Sequence, residues 1–272
     1  MELQKQLAYE FNLKEIYAEN IINLIDEGNT IPFIARYRKE MHGACDDQVL
    51  RDFADRLNYL RNLNKEKEKV EKVIREQDKW TDEIAKALDE ALTLTEVEDI
   101  YRPYKPKRKT RATVAIAKGL EPLADIILAQ DLTKPVEEYA RDFVSAEKGV
   151  KDENEAIAGA KDIIAERISD DANLRKVLRE IIAKKAVIKS TWDEEADEHK
   201  TYENYKDFSG EVAKIPSHRI LALNRGEKEK CLKVSVEINP KLTITEIEKA
   251  YKKDCEFTDQ IMLDTIQDSY DR

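Results

Sequence analysis

Apolar residues recur at helical spacing along most of the chain. The run from Leu13 to Ile25 keeps one face apolar until Gly28, a typical helix-ending residue. A longer stripe follows Asp46, which can cap a helix, and extends from Val49 to about Gln77. At 1.5 Å per residue, that helix would be about 45 Å long. The pattern predicts a chain built from amphipathic helices.

Polar residues and prolines mark the starts of further helices. We place these starts at Thr30, Thr81, Thr95, Pro122, Pro135, Asp152 and Pro216. At one of them, Thr95, a glutamate follows three residues later at Glu98, which is the pattern of a capping box. We therefore expect a helix to begin at Thr95.

Only a small part of the chain has the two-residue period of a strand. Apolar and polar residues alternate from Cys231 to Ile238, as in a half-buried strand. The run Val187–Trp192 is short and β-branched, but the chain offers few candidates to pair with the first segment. We therefore predict a mostly α fold with many helices and a small β element near residues 230–238. No fixed-period repeat is present.

Composition agrees with this fold and limits the function. Of 272 residues, 38% are charged, 41% are hydrophobic, and there are only 7 Gly and 7 Pro, which favours helices over a β-sandwich. A net charge of −10 argues against a protein that coats nucleic acid over its whole surface. The three cysteines lack metal-site spacing and fit reduced thiols. With no apolar run long enough for a membrane span and no signal peptide, we expect a cytoplasmic protein.

A cationic segment stands out against this acidic background. Pro103 and Pro106 disfavour helical geometry at Arg102 and Lys105, so we expect the segment to be extended and stiff. Cations can neutralise phosphates and tyrosine can stack on a base. The candidate nucleic-acid-binding residues here are Arg102, Tyr104, Lys105, Lys107, Arg108, Lys109 and Arg111. The alternative is a solvated linker.

A second basic patch lies in the segment Ile31–Lys39. It contributes Arg36, Arg38 and Lys39 as further candidates for nucleic-acid contact. The alternative is a helix whose arginines pair with neighbouring acidic residues, and we favour that interpretation for Arg36.

Catalytic patterns are lacking. The sequence has no phosphate-binding glycine loop, no dinucleotide fingerprint and no zinc-protease motif. Its histidines, His42, His199 and His218, are scattered, and the sequence shows no nearby base that would lower the pKa of a cysteine thiol. We therefore expect a protein that is not an enzyme, with no metal and no cofactor.

Several long segments closely resemble the N-terminal region of the bacterial Tex family, whose members are RNA-binding transcription accessory proteins. These segments, in the family's order, are Gly28–Glu40, Leu92–Ala112, Lys118–Ala124, Ser145–Val150, Ile163–Ile168 and Lys214–Glu227. The resemblance covers nearly the whole chain. It departs from the family at Met41 and His42, where a small polar residue is expected before the glycine.

The resemblance implies a helical N-terminal domain over residues 1–200, with a helix-turn-helix-like unit. Residues 201–272 would form a helical and β connector that leads to an RNase H-like domain beyond Arg272. Helix-hairpin-helix motifs and an S1-type barrel would follow, and nucleic-acid binding in the family is attributed mainly to that barrel. We therefore expect the chain to be a fragment.

Two functions remain open. The leading hypothesis is a non-catalytic helical scaffold of a transcription accessory protein that binds RNA or DNA, mainly through the domains absent from this fragment. The alternative is a protein-interaction module that binds RNA polymerase or another component of the transcription machinery without touching nucleic acid.

Overall fold

The computed structural model describes residues 3–105 and 109–272, most of which lie in α-helices, so the predicted fold class is confirmed. Contacts divide the chain into two units, the first ending at Tyr104 and the second beginning at Lys105. The predicted domain boundary at residue 200 and the helix-turn-helix-like unit concern the family's domains, and both stay predictions. No helix in the described ranges has both the length and the apolar composition that a bilayer crossing requires.

Residues 3–104 of the first unit form six α-helices followed by one 3-10 turn. The α-helices are α1 (Leu3–Glu10), α2 (Glu15–Asp26), α3 (Ile31–Tyr37), α4 (Asp47–Glu76), α5 (Asp82–Glu90) and α6 (Leu94–Tyr101), and the 3-10 turn is Arg102–Tyr104. The predicted long helix is confirmed as α4, and Asp46 caps it by accepting a hydrogen bond from the Val49 amide at 2.8 Å. Thr81 caps α5 in the same way, as predicted.

Helix α4 forms the centre of the first core. Its buried residues Leu50, Phe53 and Leu57 belong to one cluster with Ile21 of α2 and Ile34 of α3. Burying a leucine, isoleucine or phenylalanine side chain stabilises a fold by about 1.5–3 kcal/mol, so this cluster fixes the positions of α2 and α3 on α4.

The start of α6 corrects one prediction. The capping box is formed by Thr93 and Glu96, two residues before the pair that the sequence suggested. The Thr93 hydroxyl accepts from the Glu96 amide at 3.2 Å, and the Glu96 carboxylate accepts from the Thr93 amide at 3.1 Å. Both threonines satisfy the same spacing rule, so the pattern alone could not separate them.

The second unit contains eight α-helices, three strands and two 3-10 turns in the residues from 109 onward. In chain order these are α7 (Arg111–Ala117), α8 (Glu121–Ala129), α9 (Val136–Ala140), a 3-10 turn (Arg141–Phe143), α10 (Glu153–Asp170), α11 (Ala172–Lys185), β1 (Val187–Trp192), a 3-10 turn (Glu203–Tyr205), β2 (Phe208–Glu211), α12 (Ser217–Lys228), β3 (Leu232–Glu237), α13 (Pro240–Tyr251) and α14 (Asp259–Asp271). Asp152 caps α10 through the Glu155 amide, as predicted.

Helix α10 is the centre of the second core. Its buried Ile163 and Ile164 cluster with Leu123 of α8 and with Met262 and Ile266 of α14. Helix α10 is itself amphipathic, and it buries its apolar side chains against the neighbouring helices as in a helical bundle.

The small β element is confirmed, and the structure supplies its partners. Strand β1 lies in the middle and pairs antiparallel with β2 and with β3, in the order β2-β1-β3. In the register of β1 with β3, Val187 faces Glu237 and Trp192 faces Leu232. One face of this sheet carries a separate cluster of buried side chains from Tyr202, Leu223, Cys231 and Leu232.

Candidate nucleic-acid interface

The predicted cationic segment begins as helical backbone rather than as an extended strap. Arg102 has φ −52° and ψ −44°, and it starts the 3-10 turn Arg102–Tyr104. Its amide donates to the carbonyls of Asp99 and Glu98, which continues the hydrogen bonding of α6. The expectation of extended geometry at Arg102 is therefore wrong. The preference imposed by a following proline is statistical, and here the helix hydrogen bonds outweigh it.

Tyr104 is half-buried and anchored. Its carbonyl accepts a hydrogen bond from the Gln77 side chain at 2.9 Å, and burial raises the pKa of its phenol. Arg102 and Lys105 are also partly buried. These three candidates are held by the fold on at least one side.

The later part of the cationic segment, from Lys107 to Arg111, differs from residue to residue in what the structure describes. Lys107 and Arg108 lie outside the described residues, and Lys109 is exposed. Thr110 then caps α7 through a capping box with Thr113. The segment therefore ends where a new helix begins.

Arg111 lies in a network of carboxylates. Its guanidinium contacts Asp268 of α14 at 2.7 Å and Asp162 of α10 at 3.2 Å. The hydrogen bond that Arg111 donates to Asp268 is the main cause of a raised pKa at Arg111. Arg272 binds the same two carboxylates at 2.7 and 2.8 Å. A phosphate would have to displace these partners, so Arg111 is better placed to connect α7, α10 and α14.

The second basic patch has a different environment. We define the α3 patch as Phe33, Arg36, Tyr37, Arg38 and Lys39, at the C-terminal end of α3 and in the residues after it. The three cations are exposed, and Tyr37 is 62% exposed. The Phe33 and Tyr37 rings lie 5.3 Å apart, and the Arg38 guanidinium lies 5.3 Å from the centre of the Phe33 ring.

The cations of the α3 patch have no acidic partner among the described residues. Within residues 3–105 and 109–272, no carboxylate forms an ion pair with Arg36, Arg38 or Lys39, so the expected pairing of Arg36 with an acidic neighbour is not found there and stays a prediction. Arg38 instead donates to the Tyr37 carbonyl at 3.1 Å and covers the Phe33 ring. Cations near a helix C-terminus are favoured by the helix dipole, which explains why they are tolerated without carboxylates.

The loop after the α3 patch is firmly attached to the first unit. His42 is fully buried, and its Nε2 lies 3.2 Å from the Ile34 carbonyl of α3. The Nε2 must therefore carry the proton, which leaves the buried Nδ1 without a hydrogen-bond partner. Asn20 of α2 donates to the Met41 carbonyl at 3.0 Å. The turn at Met41 and His42, where the sequence departs from the Tex pattern, is thus well formed.

Sequence reasoning found the three cations but missed the two aromatic residues. Phe33 and Tyr37 are four residues apart, which places them on one face of a helix. That spacing beside three cations was the available signal. The described residues contain no group of three or more His, Cys, Asp or Glu side chains that could hold a metal ion.

Comparison with known proteins matches both units. Residues 1–75 match the Tex-like protein N-terminal domain, and residues 131–266 match the Tex central region-like family. The protein YdcI of Bacillus subtilis is 45% identical over 273 residues, covering 99% of this chain and 38% of the relative. The transcriptional accessory protein Tex of Neisseria gonorrhoeae is 38% identical over 241 residues, covering 88% of this chain and 31% of the relative.

A more distant relative is the human S1 RNA-binding domain-containing protein 1, which is 30% identical over 246 residues, with 88% of this chain and 24% of the relative covered. The chain therefore spans well under half the length of these relatives. Since the central-region match alone spans half of the chain and the N-terminal match adds much of the remainder, this chain belongs to the Tex family.

Proposed function

We propose that this chain is the non-catalytic helical part of a transcription accessory protein and that it contacts nucleic acid, RNA or DNA. Two relatives support the proposal by their names, one a transcriptional accessory protein and the other an RNA-binding domain-containing protein. The domains that the resemblance implies beyond this chain would supply most of the affinity.

The α3 patch is the observation that carries the proposal. It combines an exposed aromatic ring on a well-anchored helix with three exposed cations that have no carboxylate partner in the described part of the chain. Cations that have no ion pair to break can neutralise phosphates at little cost, and that neutralisation dominates the affinity for nucleic acid. The first unit therefore offers a local cationic surface although the whole chain is acidic.

The segment from Arg102 to Arg111 is a second candidate surface. Arg111 already binds two carboxylates, whereas Lys109 is exposed. We therefore assign the principal phosphate contacts to Arg36, Arg38 and Lys39, with Lys107, Arg108 and Lys109 as additional ones.

The test is the salt dependence of binding. Fluorescence anisotropy with a single-stranded oligonucleotide of about 12 nucleotides suits the site size of such surfaces. It would be measured between about 50 and 200 mM salt. The triple variant Arg36→Gln, Arg38→Gln, Lys39→Gln should bind more weakly. The slope of log K against log salt should shrink by about 2, since each lost phosphate contact removes about 0.7.

A matched control removes the same charge elsewhere in the first unit. Lys65→Gln, Lys72→Gln, Lys86→Gln changes three exposed lysines of α4 and α5 and should leave the slope almost unchanged. If both triple variants lose the same amount of affinity and slope, binding depends only on net charge, and a defined binding surface is contradicted. The variant Lys107→Ala, Arg108→Ala, Lys109→Ala tests the second surface in the same assay.

The non-catalytic part of the proposal has its own test. Incubating the chain with labelled RNA and DNA in the presence of Mg²⁺ or Mn²⁺ should leave both intact. Metal-dependent cleavage that survives repurification would contradict it. A cytoplasmic location belongs to the same proposal, and the free thiols of Cys45, Cys231 and Cys255 support it.

A second function, binding to a protein of the transcription machinery, is favoured by exposed apolar side chains in the second unit. Leu221 of α12 is 68% exposed and Val236 of β3 is 59% exposed. Large exposed apolar side chains are common at protein interfaces when they form a patch. Capture of purified RNA polymerase after nuclease treatment, lost in Leu221→Lys and Val236→Lys, would support this function.

A further inference from the structure

Tyr37 carries the solvent-exposed aromatic ring of the α3 patch. Phe33 is partly buried and already has two neighbours, the Arg38 guanidinium at 5.3 Å and the tilted Tyr37 ring at 5.3 Å. Tyr37 has Phe33 on one side, and 62% of the residue is exposed. A large aromatic side chain that is held in place and open to solvent provides a flat surface on which a planar ligand can pack.

The residues around Tyr37 restrict what that surface can bind. Cations flank it directly in sequence at Arg36 and Arg38, with Lys39 one residue further. Three cations therefore lie within two residues of Tyr37 in sequence, and this local positive charge suits a ligand with a planar apolar part and adjacent negative charges. A nucleotide of a nucleic acid strand has this combination.

We infer that the α3 patch binds single-stranded nucleic acid, with an unpaired base stacked on the Tyr37 ring and the adjacent phosphates held by the flanking cations. This inference rests on the proposed function, because it specifies the form of nucleic acid that the same patch selects. In a duplex, the faces of the bases are covered by their neighbours, and a tyrosine on a protein surface cannot reach them. Stacking on every type of base is possible, so the preference concerns strandedness rather than sequence.

The geometry of the first unit favours such stacking. The ring lies on α3, whose Ile34 is fully buried in the core, and Arg38 is fixed by its contacts with Phe33 and with the Tyr37 carbonyl. A platform that is already ordered loses little conformational entropy when a base binds.

Tyr9 provides a matched control. It is 86% exposed and belongs to the same unit, but its neighbour Glu10 forms a bidentate pair with Arg56 at 2.7 and 2.8 Å. Tyr9 therefore offers a ring at least as accessible as that of Tyr37, beside a carboxylate that is already neutralised and without three cations next to it in sequence. The two tyrosines differ mainly in the charge around them.

The experiment compares Tyr37→Ala, Tyr37→Phe and Tyr9→Ala in the anisotropy assay. The probes are a single strand, its duplex, and a single strand of the same length with abasic sites. Tyr37→Ala should weaken binding to the intact single strand by about 5- to 150-fold, the effect of losing one stacked base. Tyr37→Phe and Tyr9→Ala should bind as the unaltered chain does. Binding of the duplex and the abasic strand should respond little to Tyr37→Ala.

The salt slope separates stacking from charge. Tyr37→Ala removes no charge, so the slope should not change although the affinity falls. If Tyr37→Ala binds the single strand as well as Tyr9→Ala does, or if it weakens the duplex equally, the stacking inference is overturned. The proposed function would survive that result provided that the triple variant at Arg36, Arg38 and Lys39 still lowers the slope. If the triple variant has no effect either, both the stacking inference and the proposed function are contradicted. Circular dichroism and thermal melting of each variant confirm that the fold is retained.

Discussion

The guanidinium of Arg111 donates hydrogen bonds to both carboxylate oxygens of Asp268, at 2.7 and 3.1 Å, across 157 residues of sequence. Arg272 and Asp162 complete a four-residue network that connects α7, α10 and α14. A cation that the sequence placed in a nucleic-acid-binding segment thus contributes to the packing of the second unit. The network leads to the first prediction.

Replacing Arg111 with glutamine should destabilise the second unit by about 0.5–1 kcal/mol at pH 7, the scale of an exposed ion pair. Burial alone would raise the pKa of Asp268, but hydrogen bonds from Arg111 and Arg272 lower it below the ordinary value. Because its pKa is lower in the folded state, ionised Asp268 stabilises the fold at pH values above its unfolded-state pKa of about 3.9. That contribution is lost as the pH falls through the folded-state pKa. The difference between the Arg111→Gln variant and the unaltered chain should therefore shrink below about pH 4.

Urea unfolding measures this effect. A Trp80→Phe background leaves Trp192 of the second unit as the single tryptophan fluorophore, since the chain has 2 Trp. Arg141→Gln is a suitable control, because Arg141 makes a looser contact with Glu153 at 3.5 Å. An equal loss in the control, or a constant difference at all pH values, would contradict a specific role of Asp268.

The cap of α6 gives a second prediction with a built-in control. Thr93→Ala removes the hydroxyl that accepts from the Glu96 amide and should destabilise the first unit by about 1 kcal/mol. Thr95→Ala lies two residues into the same helix, where alanine is well tolerated, and should be nearly neutral or slightly stabilising. Thermal or urea unfolding followed by circular dichroism measures both. A larger loss of stability for Thr95→Ala than for Thr93→Ala would indicate that α6 begins at Thr95, as the sequence suggested.

Cys255 should be the most reactive of the three thiols at neutral pH. A hydrogen bond from the Thr258 side chain is the main cause of a lowered pKa at Cys255, and the backbone amides of Leu132, Phe257 and Thr258 add to it. Burial raises the pKa of the Cys45 and Cys231 thiols. Since the thiolate is the reactive form, alkylation of Cys255 should begin at lower pH.

Iodoacetamide labelling at a series of pH values, read by peptide mass spectrometry, tests this order. Thr258→Val should move the labelling curve of Cys255 to higher pH, because the side-chain donor is lost, while Thr258→Ser keeps the hydroxyl and should leave the curve in place. If Cys231 or Cys45 is labelled first, the hydrogen bonds to Cys255 do not control its reactivity.

Two glycines that both have a positive φ should lose different amounts of stability when they are replaced by alanine. Gly28 and Gly43 have φ of +84° and +64°, where an L residue is strained. A Cβ at Gly43 would lie 2.7 Å from the Tyr17 ring, whereas nothing lies within 4 Å of one at Gly28. Gly28→Ala should cost about 1 kcal/mol, and Gly43→Ala should cost clearly more because the ring must move as well.

Urea unfolding of the two variants supplies the comparison. A double variant of Gly43→Ala with Tyr17→Leu would relieve the contact and recover part of the loss. If Gly43→Ala and Gly28→Ala are equally destabilising, the close approach of Tyr17 to the loop does not contribute to the stability of the turn.

Much of the helical framework follows from local sequence. Asp46, Thr81 and Asp152 each cap the helix that the pattern predicted, because a capping side chain acts within three residues of its own position. Local signals failed where two choices met the same rule, as at Thr93 and Thr95, or where one preference opposed another, as at Arg102 before Pro103. The strand near residue 230 was also predictable from its period, whereas its pairing with β1 was not.

Some properties of the candidate site likewise follow from local sequence, and others depend on the tertiary structure. The sequence by itself determined which residues carry charge, where the cations cluster, and that helices would present them. Only the tertiary structure decided which cations already have partners: Arg111 meets carboxylates from α10 and α14, while Arg36, Arg38 and Lys39 meet none in the described part of the chain. Ion pairs and open aromatic rings depend on which helix faces pack together, and that packing is set by contacts between residues far apart in sequence.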